Sequence, residues 1–297
     1  MENVLIKTLA YSKQARIFFV HNTDLIRTVC HRPAVRSRLL RRVLGLTVSA
    51  ASLLAGTLKE HQRLSLKIKV SHPPYKLFAD VDAQGNVRGY ASDDLLKAPP
   101  ESLDGLSIPQ FIGEAGFIQI VKDVGMYRSV TGITDMPFRN IADDLSHYFQ
   151  QSEQTPTHFA LHFDDTDDGR VRTSTGVLAQ LLPGAPGELL AHIREAAQRL
   201  PSISSSAFNG EALRQVPSLL FDDIEILETM PVKVYCGCSK EMMLPMLYAL
   251  GRNELTAACE NNESLEMTCR LCGNAYVLAP DDIRKLLDHP ADGGRPH

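Results

Sequence analysis

The sequence lacks features that mark several specialised classes of protein. Its 31 Lys and Arg residues stand against 35 Asp and Glu, a net charge of -4, whereas a protein that binds nucleic acid regardless of sequence is expected to be basic. We therefore expect no nucleic-acid partner. The first residues lack the basic start, apolar run and small-residue cleavage site of a secretory signal, which predicts a cytoplasmic protein.

Long apolar runs and catalytic patterns are also scarce. The only long uncharged run, residues 43–58, contains Ser, Thr and Gly and is shorter than the roughly 20 residues that a membrane-spanning helix needs. It predicts a buried helix and no membrane partner. No group of nucleophile, base and oxyanion donors, no phosphate-binding loop and no pair of catalytic carboxylates stands out. The sequence therefore does not indicate an enzyme.

What is present is typical of a globular protein. Hydrophobic residues make up 44% and charged residues 22% of 297 residues, a length that predicts about two domains. Residues 1–182 hold patterns of strands and helices without a regular βαβ repeat, which predicts an α+β core domain. Residues 183–230 follow a Pro- and Gly-containing break, and we predict a metastable helical linker there. Residues 231–297 are predicted to form a separate small domain, in which Ser239 caps a helix that Pro245 breaks or kinks. In the same domain, residues 265–268 and 275–278 are predicted to form a hairpin.

Four of the six cysteines form two close pairs in this last segment. Cys236-Gly-Cys238 is separated by 30 residues from Cys269-Arg-Leu-Cys272. Two such pairs can supply four thiolates to one tetrahedral Zn²⁺, with Zn–S distances of about 2.3 Å. A domain of this size has little hydrophobic core, so the metal would supply much of its stability. The remaining thiols, Cys30 and Cys259, are predicted to pack in a core or on a helix face.

Further motifs accompany the thiol pairs along the chain. The thiol pairs lie in two motifs, Cys236-Gly-Cys238-Ser239-Lys240-Glu241 and Cys269-Arg-Leu-Cys272-Gly273-Asn274-Ala-Tyr276. Five further motifs lie upstream: Leu44-Gly45, Leu53-Leu54-Ala55-Gly56-Thr57-Leu58-Lys59, Gly85-Asn-Val-Arg88-Gly89-Tyr90, Ser152-Glu153-Gln154-Thr155-Pro156 and Gln180-Leu-Leu-Pro183-Gly184-Ala185. In these motifs the sequence resembles the redox-regulated 33 kDa chaperonin family, heat shock protein 33. The resemblance spans nearly the whole chain.

The resemblance implies an ATP-independent holdase chaperone that is inactive while reduced and bound to one Zn²⁺ through Cys236, Cys238, Cys269 and Cys272. It also implies that oxidation joins Cys236 to Cys238 and Cys269 to Cys272, with loss of the metal. The implied partners are unfolding client proteins, a second copy of the chain when oxidised, and ATP-dependent foldase chaperones that receive the clients. We predict that unfolding then spreads to the linker and exposes a client surface made of Leu189, Leu190, Ile193, Leu219, Leu220, Phe221, Ile224 and Ile226.

Two other functions fit the cysteine pattern less well. A structural zinc ribbon that binds nucleic acid would need Lys and Arg around the thiol pairs, but the segment offers mainly Lys233, Lys240, Arg252 and Arg270 among several acids. A disulfide oxidoreductase would place its CxxC motif at the start of a helix in a βαβ unit. The sequence does not predict that arrangement.

Overall fold

The larger part of the chain combines helices with strands, several of which have one apolar face. The computed structural model describes residues 2–71, 73–125, 128–203, 212–269 and 274–288, and the chain divides into two units, Met1–Val234 and Tyr235–His297. Leu64, Leu66 and Ile68 are buried, whereas Ser65 and Lys67 between them are not. This period of two places one face of the strand in the core. The α+β class is confirmed.

The bounds of the elements are as follows. The strands are β1 (Val4–Ala10), β2 (Ala15–His21), β3 (Arg63–Lys69), β4 (Lys76–Asp82), β5 (Asn86–Ala91), β6 (Phe117–Gly125), β7 (Arg128–Asp135), β8 (Thr157–Asp165), β9 (Val171–Leu181), β10 (Glu225–Pro231), β11 (Lys233–Val234), β12 (Leu265–Thr268) and β13 (Ala275–Leu278). The α-helices are α1 (Thr23–Cys30), α2 (Arg38–Leu54), α3 (Asp93–Lys97), α4 (Pro100–Leu103), α5 (Ile108–Ile112), α6 (Ile141–Ser152), α7 (Leu189–Ala197), α8 (Ala212–Leu220), α9 (Lys240–Met243), α10 (Arg252–Glu260) and α11 (Pro280–Asp288).

Two sheets form the framework of the larger unit. One has five antiparallel strands in the order β10-β1-β2-β9-β8, and the other has six in the order β11-β5-β4-β3-β6-β7. The short β11 is parallel to β5, with Lys233 opposite Asn86. Both β10 and β11 are edge strands, so each is hydrogen-bonded to a sheet on one side.

The helix α2 fills the core between the sheets. The Ser37 side chain caps it by accepting the Leu40 N–H, and its residues contact β3, β4 and β5 of one sheet and β2, β8 and β9 of the other. Its segment Arg38–Thr57 has the length and composition of a membrane span, but 78% of the most apolar window is buried inside the fold. The predicted buried helix is therefore present, and it serves the core. Gly89 of β5 lies so close that a Cβ there would collide with Val48 of this helix.

Residues 183–230 contain α7, α8 and most of β10. The two helices cover the face of the five-stranded sheet that points away from α2, where they share a second hydrophobic cluster with residues such as Ile17, Phe19 and Val177. The strand β10 continues to Pro231 and therefore crosses the predicted boundary at residue 230. The division into a core domain, a metastable linker and a separate domain stays a prediction.

The smaller unit is organised by its caps and one hairpin. Ser239 caps α9 through a 3.3 Å hydrogen bond from Met242 N–H, as predicted. The predicted break at Pro245 is present, because a 3₁₀ segment, Leu244–Leu250, replaces further α-helix. The strands β12 and β13 pair antiparallel, and α10 and α11 close a small core of Leu247, Leu255, Ala258, Cys259, Leu278 and Ile283.

Candidate metal centre

Two chain segments bring three cysteines of the smaller unit together. Cys236 and Cys238 lie in the segment that leads into α9, and Cys269 follows β12 directly. The hairpin holds Cys269 in position because its N–H donates a 2.8 Å hydrogen bond to Asn274 O, next to the β13 strand. Pairing of the two strands thus fixes the backbone at Cys269.

The three thiols form a cluster with the dimensions of a metal site. The sulfurs of Cys236, Cys238 and Cys269 all lie within 4.8 Å of one another, and Cys236 Sγ is 3.5 Å from Cys269 Sγ. Sulfurs that surround a tetrahedral Zn²⁺ at about 2.3 Å are about 3.8 Å apart. The arrangement could hold a metal ion. The fourth predicted ligand, Cys272, lies outside the described residues.

A tyrosine hydroxyl touches the cluster. Tyr276 of β13 donates a 3.0 Å hydrogen bond to the backbone O of Cys238, and its Oη is also 3.0 Å from Cys238 Sγ. Tyr276 belongs to the motif around Cys272, but no spacing in the sequence predicts a role for it. Its position opposite Met267 in the hairpin follows from strand pairing, which the two short apolar runs did predict.

Polar contacts join the helices α9 and α11 of the smaller unit. Asp282 of α11 accepts a 2.9 Å hydrogen bond from Ala279 N–H and lies 2.6 Å from Lys240 Nζ. The hydrogen bond from Lys240 and that backbone bond hold the pKa of the Asp282 carboxyl below its ordinary value. Because Lys240 belongs to α9, this ion pair joins the helix after Cys238 to α11.

The remaining cysteines are buried away from any exposed surface. Cys30 lies in the larger core with its Sγ 3.2 Å from Arg41 O, and burial raises the pKa of its thiol to about 12. Cys259 packs in the small core with its Sγ 3.6 Å from Pro280 O. Both positions agree with the expected packing roles, since reactive cysteines need the thiolate form and access.

The predicted client residues occupy two environments in the larger unit. Leu189, Ile193, Leu220 and Phe221 are buried in the second hydrophobic cluster, and Leu190 and Ile224 pack against it partly buried. Leu219 and Ile226 are exposed, at 56% and 42%. The structure brings six of the eight onto one sheet face and leaves two in solvent.

Comparison with known proteins identifies the family of the chain. The family model described as Hsp33 protein matches residues 3–279. The chain belongs to the Hsp33 family. Members of this family are chaperones, a function that entails binding client proteins.

Relatives named 33 kDa chaperonin match this chain over their full length. This chain is 28% identical over 291 residues to a 33 kDa chaperonin of Bacillus cereus and equally to one of Bacillus anthracis, each match covering 97% of this chain and all of the relative. A crystal structure of the 33 kDa chaperonin (heat shock protein 33 homologue) from Thermotoga maritima matches with a TM-score of 0.79 and 24% identity, over 99% of this chain and all of that one. At that identity the structural match supports the fold.

Proposed function

We propose that this Hsp33 family member is a redox-regulated, ATP-independent holdase of the cytoplasm. In the reduced state Zn²⁺ is bound and the chaperone is inactive; under oxidative stress it binds unfolding proteins and prevents their aggregation. The observation that carries the proposal is the cluster of three thiols within 4.8 Å in a unit with a small core. We further propose that the oxidised form is a homodimer and passes clients to ATP-dependent foldase chaperones. The proposal assigns no enzymatic activity.

The donor set favours zinc as the metal. Thiolates are soft ligands, and closed all-cysteine tetrahedral sites are typical of structural Zn²⁺. We assign Cys236, Cys238, Cys269 and Cys272 as its four ligands. When bound, Zn²⁺ supplies folding free energy and keeps the ligands as thiolates, on the order of 10–16 kcal/mol of apparent binding free energy in small zinc peptides. In the part of the small unit that the structure describes, the core cluster has six buried side chains, so this contribution would be a large part of its stability.

Peroxide could then convert the thiolates into disulfides in a balanced sequence. One thiolate attacks a peroxide oxygen, which breaks the O–O bond, leaves a sulfenic acid and releases hydroxide. The second thiolate of the pair attacks that sulfur, forms the S–S bond and expels a second hydroxide. The two thiolates lose two electrons and the peroxide gains them. Cys236 would pair with Cys238 and Cys269 with Cys272, and disulfide sulfurs are poor metal ligands.

Unfolding of the small unit would reach the linker along the chain. A single residue separates Cys236 from the end of β11. β11 is a two-residue edge strand, and the strand before it in the chain, β10, is also an edge strand. Edge strands have one hydrogen-bonded neighbour, and six of the seven β10 residues are exposed. Segments with few buried contacts open at low free energy. Loss of the anchoring small unit would therefore free β11 first, and then β10, α8 and α7.

Release of the linker would uncover two apolar surfaces at once. One is the linker's own client surface, and the other is the sheet face beneath α7 and α8. That face is made of Val4, Ile6, Ile17, Phe19, Val177 and Ala179. Exposed apolar patches of this kind bind other proteins with little sequence selectivity, as a holdase requires.

The alternative functions receive less support from the hairpin. Cys269 lies after a strand in an antiparallel hairpin, whereas the CxxC motif of a thioredoxin-like oxidoreductase belongs to a βαβ setting. An insulin reduction assay separates that activity from holding. A zinc ribbon that binds nucleic acid would require a basic surface around the thiols. Lys240, which follows Cys238 closely, already forms an ion pair with Asp282, so its charge is largely neutralised.

The test combines zinc and free-thiol quantification before and after peroxide at raised temperature with suppression of client aggregation. We expect one zinc per reduced chain, loss of four thiols with release of that zinc, and holding activity in the oxidised protein alone. The Cys272→Ser variant should lose tight zinc binding. Unchanged zinc content in that variant would contradict the ligand assignment, and oxidation without gain of holding would contradict the function.

A further inference from the structure

The hydroxyl of Tyr276 lies between two acceptors on one residue. Its Oη is 3.0 Å from Cys238 O and 3.0 Å from Cys238 Sγ. A tyrosine O–H carries one proton, so a single linear hydrogen bond can serve one of the two acceptors at a time. The geometry therefore allows a hydrogen bond to the sulfur as well as to the carbonyl.

The sulfur and the carbonyl oxygen of Cys238 compete at equal distance for the one hydroxyl proton. A cysteine that holds a metal ion does so as a thiolate, and hydrogen bonds to charged acceptors are roughly twice as strong as those between neutral groups. We propose that Tyr276 is a positioning residue of the metal centre, which donates its O–H to the Cys238 thiolate and so strengthens metal retention. This inference rests on the proposed metal centre.

The hairpin gives the tyrosine a fixed relation to both cysteine segments. Tyr276 pairs with Met267 in the β12–β13 register, two residues before Cys269. Its ring reaches from that hairpin to Cys238 in the segment before α9. The side chain therefore ties together the two backbone segments that supply the sulfurs, through a contact to one of the sulfurs themselves.

Partners of this kind affect metal binding to a known degree. Groups that hydrogen-bond to metal ligands orient them and tune their basicity, and their removal weakens affinity by about 10- to 100-fold. The O–H also withdraws electron density from the sulfur to which it donates. A purely structural role, in which the O–H serves the carbonyl alone, would leave the electronic state of the sulfur unchanged.

The experiment uses the reduced full-length chain with Tyr276→Phe, which removes the hydroxyl and keeps the ring. Tyr248→Phe is the matched control, because Tyr248 Oη donates a 2.9 Å hydrogen bond to Leu286 O in the same unit. Zinc affinity is measured by competition with a chromophoric chelator. Cobalt(II) loading then gives the thiolate-to-cobalt charge-transfer band, which reports the electron density on the sulfurs.

We expect Tyr276→Phe to bind zinc about tenfold more weakly and to shift the charge-transfer band to longer wavelength, while Tyr248→Phe changes neither. A band at the wild-type position would overturn the inference even if affinity falls, because the hydroxyl would then be holding the carbonyl alone. Equal losses in both tyrosine variants would overturn it as well. If the wild-type chain binds neither metal, the proposed metal centre itself fails, which is a separate and recognisable result.

Discussion

Shortening Ile193 to alanine should open the linker without any oxidant. Ile193 lies on α7, is fully buried, and packs in the cluster that joins the helix to the five-stranded sheet. Replacement of a buried isoleucine by alanine costs about 2–5 kcal/mol, from lost burial and the cavity left behind. At about 3 kcal/mol, the population with α7 released would rise on the order of 100-fold.

Amide hydrogen exchange read by mass spectrometry measures this opening on the reduced, zinc-loaded chain. We expect peptides that cover Leu189–Ala197 to exchange faster in Ile193→Ala, with increased hydrophobic-dye binding and measurable suppression of client aggregation under reducing conditions. Leu219→Ala is the control, because Leu219 is 56% exposed and its truncation should change stability by less than about 1 kcal/mol. Unchanged protection of α7 in Ile193→Ala would refute the idea that its packing restrains the linker.

Three further predictions concern the larger unit. Burial of His158 and repulsion from Arg194 lower the pKa of its imidazole to about 4. The unfolded chain therefore takes up this proton near pH 6.5 while the folded chain does not, so the wild type loses stability as the pH falls. Between pH 7 and pH 5, the free energy of unfolding measured with denaturant should fall by up to about 2 kcal/mol less in His158→Gln than in the wild type. Gly85 has φ +75° and a Cβ there would collide with Pro231 O, so Gly85→Ala should lower the free energy of unfolding by more than about 1 kcal/mol, whereas Gly105→Ala, with open space around it, should not. Asp223 Oδ2 accepts hydrogen bonds of 2.8 and 3.0 Å from Ser12. Because one exposed hydrogen-bond acceptor contributes about 1 kcal/mol, Asp223→Ala should speed amide hydrogen exchange at the start of β10 by roughly five- to tenfold. Equal exchange rates in the variant and the wild type would contradict this.

Local patterns predicted the local structure of the smaller unit well. The predicted bounds of β12 and β13 are correct, because each strand is a short apolar stretch. Ser239 and Pro245 set the start of α9 and its change to a 3₁₀ segment, since capping and the missing proline N–H act within a few residues. The helix α10 is not predicted, because its mixed polar composition gives a weak apolar periodicity.

Long-range pairing is what the sequence could not supply. The sequence does not predict the strand β1, and most of β10 falls in the segment predicted as a helical linker. These two strands pair with each other, with Leu5 opposite Met230, across more than two hundred residues. Most of β10 is exposed, so it lacks the alternation by which a half-buried strand is recognised. Tertiary hydrogen bonding determines its conformation.

The candidate metal centre shows the same division between local and long-range information. The CxC and CxxC motifs indicate a single site for one metal ion, and the resemblance to a known family implies which cysteines pair on oxidation. The contact of Tyr276 with Cys238 depends on how a hairpin meets a separate segment, which no spacing along the chain expresses.

The most direct test of the account is hydrogen exchange of the full-length chain before and after zinc is removed by peroxide. The account predicts that α7, α8 and β10 lose protection together with the smaller unit, while α2 and β2 to β6 keep theirs. Protection of α7 and α8 that survives complete zinc release would contradict the central claim that the metal centre controls the linker.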